Sequence, residues 1–315
     1  MNVRVTKRSP LIDAFSNYLR YERNYSEQTI GAYERDLEQF ESFAKRNRES
    51  GFVPREIDPD FVRCWIVHLM DDKEGGRLSP RSVNRKLSSL KSFFKYLMKQ
   101  GVVEASPLRL VRGPKASQPL PYFIKDADLE ALLDGDSFSE DFKGVRDRLI
   151  IEMFYDTGMR RSELAGLRDE DFDFGAMQVK VTGKRDKQRL IPFAEGLAAM
   201  TRHYMTIRDR EVGRGSEKLF VRPSGKPMTG QDVYNVVREH LSDIPMLAKR
   251  SPHVLRHSFA TSMLNNGAEL NAVKDLLGHS SLASTSVYTH TTFEELKKVY
   301  HAHPRAQKEG GNYGD

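Results

Sequence analysis

Residues 106–121 carry four prolines, Pro107, Pro114, Pro119 and Pro121, with Gly113 and Ser117 among them. A proline has no N–H to donate and its ring clashes with the preceding turn, so this stretch continues neither a helix nor a central strand. It is expected to be an extended linker, and it divides the 315 residues into two parts that must each bury their own core. The expected boundaries are 1–106 for a first domain, 107–121 for the linker, 122–305 for a second domain and 306–315 for a disordered polar tail.

Upstream of the linker the apolar residues recur at helical spacing. Leu11, Phe15, Tyr18 and Leu19 form one stripe, and Ser26 can cap a second helix carrying Ile30, Tyr33, Leu37 and Phe40. Phe61, Trp65, Ile66 and Leu69 form a third stripe. Ser79 as N-cap and Pro80 as first residue open a fourth helix, whose stripe is Val83, Leu87, Leu90, Phe94 and Leu97. Four helices without a strand signal predict a small bundle. Downstream the pattern is mixed and mostly helical. There, residues 177–182 and 188–193 read as two short strands joined by a polar turn at 183–187, a hairpin signal. Pro192 confines the second strand to a sheet edge or places the proline at its end. The fold class is therefore mainly α, with a helical bundle first and an α+β domain with a small antiparallel sheet second.

The formal net charge of +6 is modest, so its placement matters more than its size. The first 120 residues carry a surplus of seven positive charges and the remainder a deficit of one. Arg77, Arg81, Arg85, Lys86, Lys91, Lys95 and Lys99 follow one another with no acid between Gly75 and Val103. A short run of this kind is ordinarily a solvated helix face. This one is long and unbalanced, and Arg77, Arg81, Arg85, Lys86, Lys91 and Lys95 are expected to form a phosphate-tracking surface for a polyanion. Cys64 is the only cysteine, which excludes an intrachain disulfide and a cysteine zinc cluster and fits a reducing compartment. The start MNVRVTKRSP has no apolar run behind it, and no stretch of about twenty apolar residues follows elsewhere. A cytoplasmic chain with no membrane partner is expected.

Four short segments carry candidate chemistry. In SPHVLRH, Ser251 can cap a helix and Pro252 suits its first turn, so His253 and Arg256 share a face near a helix N-terminus, where an anion is favoured. An imidazole beside a guanidinium can clamp a phosphate and move a proton, although such a pair is more often just a polar helix start. In TGMRRSEL, an apolar helix with Leu149, Ile150, Met153 and Phe154 ends at Gly158, a natural C-cap. Arg160 follows at the turn, where it can reach into a cleft; Arg161 reads as solvated, and Ser162 can begin the next helix. Lys184 lies at the hairpin tip, where it can donate a proton or simply face solvent. Gly278 stops a helix carrying Val273, Leu276 and Leu277, so His279 projects from a turn, with Tyr288 following in a polar segment. Such a tyrosine is usually a packing residue, but it serves as a nucleophile where cations stabilise its phenolate.

In this order the segments resemble the signature of the tyrosine site-specific recombinases, the phage integrase family. TGMRRSEL resembles its first arginine box and TGKRDKQRLIPF its lysine hairpin. SPHVLRHSFAT resembles its His-x-x-Arg box and LGHSSLASTSVYTH its closing histidine–tyrosine box. LIDAFSNYLRYERNYSEQTIGAY resembles the SAM-like core-binding domain, and within the family the chain is most similar to the bacterial Xer recombinases, whose C-terminal segment HAHPRA resembles. The resemblance implies that Arg160 and Arg256 hold the scissile phosphate and that Tyr288 attacks phosphorus to give a 3′-phosphotyrosyl bond. Lys184 would protonate the leaving 5′ oxygen, His253 would assist proton transfer, His279 would hydrogen-bond the phosphate, and Glu163 would support the site from behind. It implies no cofactor and no metal, because the covalent intermediate conserves the phosphodiester bond energy and cations can stabilise the phosphorane. Implied partners are double-stranded DNA as a recombination site or Holliday junction, a homotetramer or a heterotetramer with a paralogous recombinase, and a DNA translocase. The implied task is resolution of chromosome dimers at a dif-like site during cell division. A C-terminal helix with Phe293, Leu296, Val299 and Tyr300 as its apolar face would by the resemblance dock on a neighbouring subunit; the alternative is an ordinary helix packing in cis. Two departures are visible, Arg185 and Ser262, where many relatives have glycine and histidine.

Other readings compete. His253 and His257 have the i, i+4 spacing of a metal site, but Val254 stands where a zincin needs glutamate. A non-catalytic DNA-binding protein would use the same basic groups only to position phosphates, which leaves the Arg, Lys, His and Tyr set unexplained. A type IB topoisomerase shares the chemistry but matches the N-terminal bundle less well. A mobile-element integrase shares all six residues; an additional arm-binding domain, common in phage integrases, has little room before Leu11.

Overall fold

A computed structural model describes residues 9–71, 77–117, 122–183, 186–245, 247–278 and 293–307. The chain forms two compact units, Met1–Pro119 and Leu120–Asp315.

The first unit is built on α1 (Pro10–Asn17), α2 (Glu27–Asn47), α3 (Pro59–Met70) and α4 (Pro80–Lys99). Each helix start is written locally. Ser9, Ser26, Asp58 and Ser79 accept hydrogen bonds from the first-turn N–H groups of Leu11, Thr29, Phe61 and Ser82. Proline occupies the first position of α1, α3 and α4, where its missing N–H costs nothing. Past Asn17 the chain continues as a π-helical turn, Tyr18–Glu22, which the sequence pattern does not reveal. The stripe of α4 is buried throughout, and Phe40 meets Trp65 edge-on at 4.9 Å.

The linker expected at 107–121 does not begin at 107. Pro107–Leu110 form a 3-10 turn, Leu108 and Val111 are buried in the first core, and the Asn84 side-chain amide donates to the Pro114 carbonyl at 2.9 Å. Proline forbids a longer helix here, but it suits the first position of a 3-10 turn, so the apolar residues between the prolines still pack.

The unbroken run of positive charge on α4 is also answered from within. Asp36 on α2, 2% exposed, accepts from Arg85 at 2.5 and 2.8 Å, from Lys86 at 2.9 Å and from Ser89 at 2.7 Å. Burial alone would raise the Asp36 pKa, yet Arg85, Lys86 and Ser89 hold it below the ordinary carboxylate value. Lys86, its side chain 12% exposed, thus acts as an internal counter-ion rather than an open cation. Arg77 precedes the N-cap Ser79, so it lies outside the helix that carries the other cations of the run. Replacing Asp36 by alanine would strand the Lys86 ammonium, at an expected cost of about 3 kcal/mol. Urea unfolding followed through Trp65, the single tryptophan and a member of this core, measures that loss.

The second unit contains α5 (Asp126–Asp134), α6 (Phe142–Thr157), α7 (Arg161–Gly166), α8 (Glu195–Glu211), α9 (Gly230–His240), α10 (Pro252–Asn265), α11 (Leu270–Leu277) and α12 (Phe293–Tyr300). Its three-stranded antiparallel sheet runs in the order β1 (Phe172–Asp173), β2 (Gln178–Thr182), β3 (Gln188–Pro192). β1 is too short to show as a sequence pattern. β3 is an edge strand with Pro192 as its last residue, and Met177 turns into β2 at φ 55. Across the β2–β3 ladder Val179 faces Ile191 and Val181 faces Arg189.

The central helix α6 is buried nearly all round and packs against α8, α9 and α10, so it shows almost no amphipathic period. Its buried acids are met by the C-terminal segment. Arg305 pairs with Glu152 and reaches Asp134 at 3.1 Å. Burial drives the His303 pKa down to about 3, so this imidazole is neutral beside Tyr155 and Asp156. Leu296, Val299 and Tyr300 of α12 pack on a cluster formed by Phe259 and Met263 of α10 with Val273, Leu276 and Leu277 of α11, and Ala306 joins them. Leu296, Val299 and Tyr300 of the face expected to dock on a neighbour are therefore packed within the same chain, and Ala306, expected in the tail, belongs to this cluster; the Phe293 side chain lies outside the described residues. No described helix is long and apolar enough to cross a membrane.

Candidate active site

α6 ends where Gly158 adopts the left-handed conformation at φ 58, which turns the chain sharply. Arg160 becomes the N-cap of α7, and Glu163 at its third position accepts from the Arg160 backbone N–H at 2.7 Å. Ser162, expected to begin this helix, lies inside it. The Glu163 carboxylate also accepts from Arg160 Nη1 at 2.7 Å.

A second left-handed glycine, Gly278 at φ 64, ends α11. The last carbonyls of a helix lack intrahelical donors and carry the negative end of its dipole. Here a guanidinium serves each of three consecutive carbonyls, while the Gly278 N–H closes that of Asp275. Arg189 Nε donates to the Leu276 carbonyl at 2.8 Å, Arg256 Nη2 to that of Leu277 at 2.8 Å, and Arg160 Nη2 to that of Gly278 at 2.6 Å. Arg256 Nη1 donates in addition to the Gly158 carbonyl at 2.5 Å. Four sequence-distant pieces thus meet: the α6–α7 turn, β3, α10 and the end of α11.

The electrostatics follow from crowding. Burial would raise the Glu163 pKa, but Arg189 first and then Arg160 hold it at about 2. Burial, with Arg160 and Arg189 close by, pulls Arg256 down to about 10, which still leaves it charged at neutral pH. The His253 pKa is lowered by desolvation and then by Lys249, Arg256 and Arg161. Three guanidiniums against one carboxylate leave an excess of positive charge, and a guanidinium has five N–H donors, of which Arg160 and Arg256 each use two here. The remaining donors suit the tetrahedral oxygens of a phosphate.

Of the residues singled out in the sequence, Arg160, Glu163 and Arg256 come together directly. His253 lies on α10 in the turn preceding Arg256, near Arg161, whose guanidinium stacks over Tyr234 at 5.8 Å. Ser251 stands at the N-cap of α10 by backbone conformation, but its buried hydroxyl makes no capping bond. Lys184, His279 and Tyr288 lie outside the described residues. Their chain neighbours do not: Gly183 sits against Glu163, where an added Cβ would come within 3.3 Å of Oε1, and Gly278 is bonded to Arg160. Arg81, Arg85, Lys91 and Lys95 are exposed on α4, and Arg77 is exposed ahead of it. Among the described residues no group of three His, Cys, Asp or Glu side chains could hold a metal ion.

Arg189 was missed. Its signal was available: two residues before Ile191 on β3 it shares that residue's face, the buried one, where an arginine needs a partner.

Residues 123–295 match the Phage integrase family, and residues 12–101 match the phage integrase N-terminal SAM-like domain. Tyrosine recombinase XerC of Chlorobaculum tepidum is 37% identical over 316 residues, covering 93% of this chain and 94% of the relative. That of Bacillus subtilis is 36% identical, covering 94% and 97%. Among solved structures, XerH recombinase bound to a palindromic difH substrate superposes with a TM-score of 0.67 at 23% identity, covering 91% of this chain and 83% of that one. The Tn1549 transposon integrase in complex with circular intermediate DNA gives 0.67 at 21%, covering 91% and 98%. Both of these are likenesses of fold. The guanidinium cluster and these relatives define an enzyme that breaks and rejoins DNA. The chain belongs to the phage integrase family, the tyrosine recombinases.

Proposed function

We propose that this enzyme is a Xer-type recombinase that resolves chromosome dimers at a dif-like DNA site in the cytoplasm of a dividing cell. The observation that carries the chemistry is the joining of Arg160 and Arg256 on consecutive carbonyls at the end of α11. Both guanidiniums hold the non-bridging oxygens of one phosphate. Tyr288 Oη attacks phosphorus, the bond from phosphorus to the 5′ oxygen breaks, and a 3′-phosphotyrosyl bond replaces it. His253, whose pKa is lowered by desolvation and then by the neighbouring cations, takes up the tyrosine proton. Lys184 gives a proton to the 5′ oxygen, and His279 hydrogen-bonds the phosphate. One phosphate ester is exchanged for another, so rejoining is the same reaction with the 5′-hydroxyl as nucleophile. The biological task rests on the XerC relatives, which are similar across nearly the whole chain. Four protomers on two sites, alone or with a paralogous recombinase, would exchange strands in pairs through a Holliday junction, with a DNA translocase bringing the sites together.

The test is a nicked suicide duplex carrying a dif-like site, incubated with the protein in EDTA. A covalent adduct whose phosphopeptide maps to Tyr288 is the expected result. Bound DNA with no adduct, even with a paralogue added, would overturn the reading in favour of a DNA-binding protein without strand cleavage.

A further inference from the structure

Arg189 takes part in none of the steps above, yet its guanidinium makes three hydrogen bonds within the site. Its side chain is 8% exposed and lies on the inner face of β3 opposite Val181. Nη1 and Nη2 grip the two oxygens of Glu163 at 2.8 and 2.9 Å, and Nε holds the Leu276 carbonyl at 2.8 Å. Glu163, 1% exposed, shares its Oε1 between Arg189 and Arg160. One planar group therefore ties the strand that follows the Lys184 turn to the carboxylate that orients Arg160. The same group ties that strand to the helix end from which His279 departs.

We propose that Arg189 is a positioning residue for cleavage, setting Arg160 through Glu163 and fixing the end of α11 against β3 through the Leu276 carbonyl. A lysine carries the charge but is a point donor, so it cannot bridge both carboxylate oxygens and a carbonyl at once. Without Arg189, the Glu163 carboxylate would pull on Arg160 alone, and that guanidinium would turn towards it and away from the phosphate. Finally, an added Cβ at Gly278 would meet Arg189 Cδ and Nη1 at 3.2 Å, so the guanidinium fills the space under the turn and the turn rests on it.

The inference rests on the proposed cleavage reaction, and full-length protein on the suicide duplex tests it. Arg189→Lys and Arg189→Met are compared with wild type for folded fraction, DNA affinity and single-turnover adduct formation across pH. We expect affinity within about threefold, because phosphate contacts elsewhere dominate binding. Cleavage per folded molecule should fall about 10²-fold in Arg189→Met, the cost of a misplaced reacting group, and by at least a third of that factor on a logarithmic scale in Arg189→Lys. The pH profile separates positioning from mere stability. The groups facing Glu163 are Arg160 on α7, Arg189 on β3 and, further off, Arg256 on α10. Removing Arg189 leaves burial less opposed, so Glu163 protonates at higher pH and the acid limb of cleavage moves upward; Glu163→Gln in the Arg189→Met background removes that limb and adds little further loss. Unchanged cleavage per folded molecule, or an unmoved acid limb with the two losses multiplying, overturns the proposal. If Arg189→Met does not fold, Arg189→Lys decides by the same criteria. A wild type that forms no adduct instead condemns the cleavage reading itself.

Discussion

Arg256→Ala is expected to slow single-turnover DNA cleavage by about 10³-fold or more while leaving DNA affinity within a few-fold. Removing one preorganised donor from a developing oxyanion costs on the order of 10²–10³ in rate, and a guanidinium contributes two donors to a phosphate. Affinity survives because backbone contacts spread over the duplex supply most of the binding free energy. The geometry adds a second effect. Arg256 closes the carbonyls of Gly158 and Leu277, so the alanine variant orphans two acceptors and loosens the joint between the α6–α7 turn and the end of α11. Each orphaned acceptor that water cannot reach costs about 1–3 kcal/mol.

Arg256→Lys separates the two contributions. A lysine restores charge, but it cannot reach two diverging carbonyls and present donors to phosphate at the same time. It should therefore recover part of the lost stability and little of the lost rate. Thermal unfolding and adduct formation on a suicide duplex, measured on the same preparations, check both. Full recovery of rate by lysine would mean that charge alone matters here and that the hydrogen-bonded frame does not.

The parts of this fold that the sequence makes legible are those decided within one turn of chain. Ser26 and Ser79 cap as expected, and Gly158 and Gly278 end their helices in the left-handed conformation, because a cap depends on a side chain and the next few N–H groups. Arg160 and Arg256 were identifiable from the same local cues together with their order along the chain. What stayed hidden depends on partners far away. Asp36, about fifty residues from Arg85 and Lys86, turns part of an apparently open basic face into a closed ion cluster. Leu108 and Val111 pack into the first core although prolines surround them. α6 shows almost no period because it is buried nearly all round, and β1, two residues long, has no pattern to find. Arg189 sits between: its inward position is a local alternation, but its partners Glu163 and Leu276 come from 26 residues before and 87 after.

A large loss of stability in the second unit is expected on substituting Gly158. A Cβ built there lies 2.4 Å from Phe259 Cδ1 and 2.8 Å from Leu277 Cδ2, both on buried side chains, and the backbone holds φ at 58. Gly158→Ala combines the left-handed penalty of roughly 1–2 kcal/mol with overpacking of about 1–3 kcal/mol, so a loss near 3 kcal/mol is expected by calorimetry. The direction of the push gives this substitution a catalytic consequence as well. Phe259 lies on α10 one turn after Arg256, and Leu277 is the residue whose carbonyl Arg256 holds. Displacing both moves the guanidinium and its anchor together, so cleavage per folded molecule should also drop. Phe259→Leu in the Gly158→Ala background opens room for the methyl group but leaves φ unchanged. The pair should then couple favourably by about 1–2 kcal/mol, with part of the cleavage rate returning and the backbone share of the loss remaining. Independent, additive losses would show that strain at φ, rather than contact with Phe259, fixes glycine at the turn that carries Arg160.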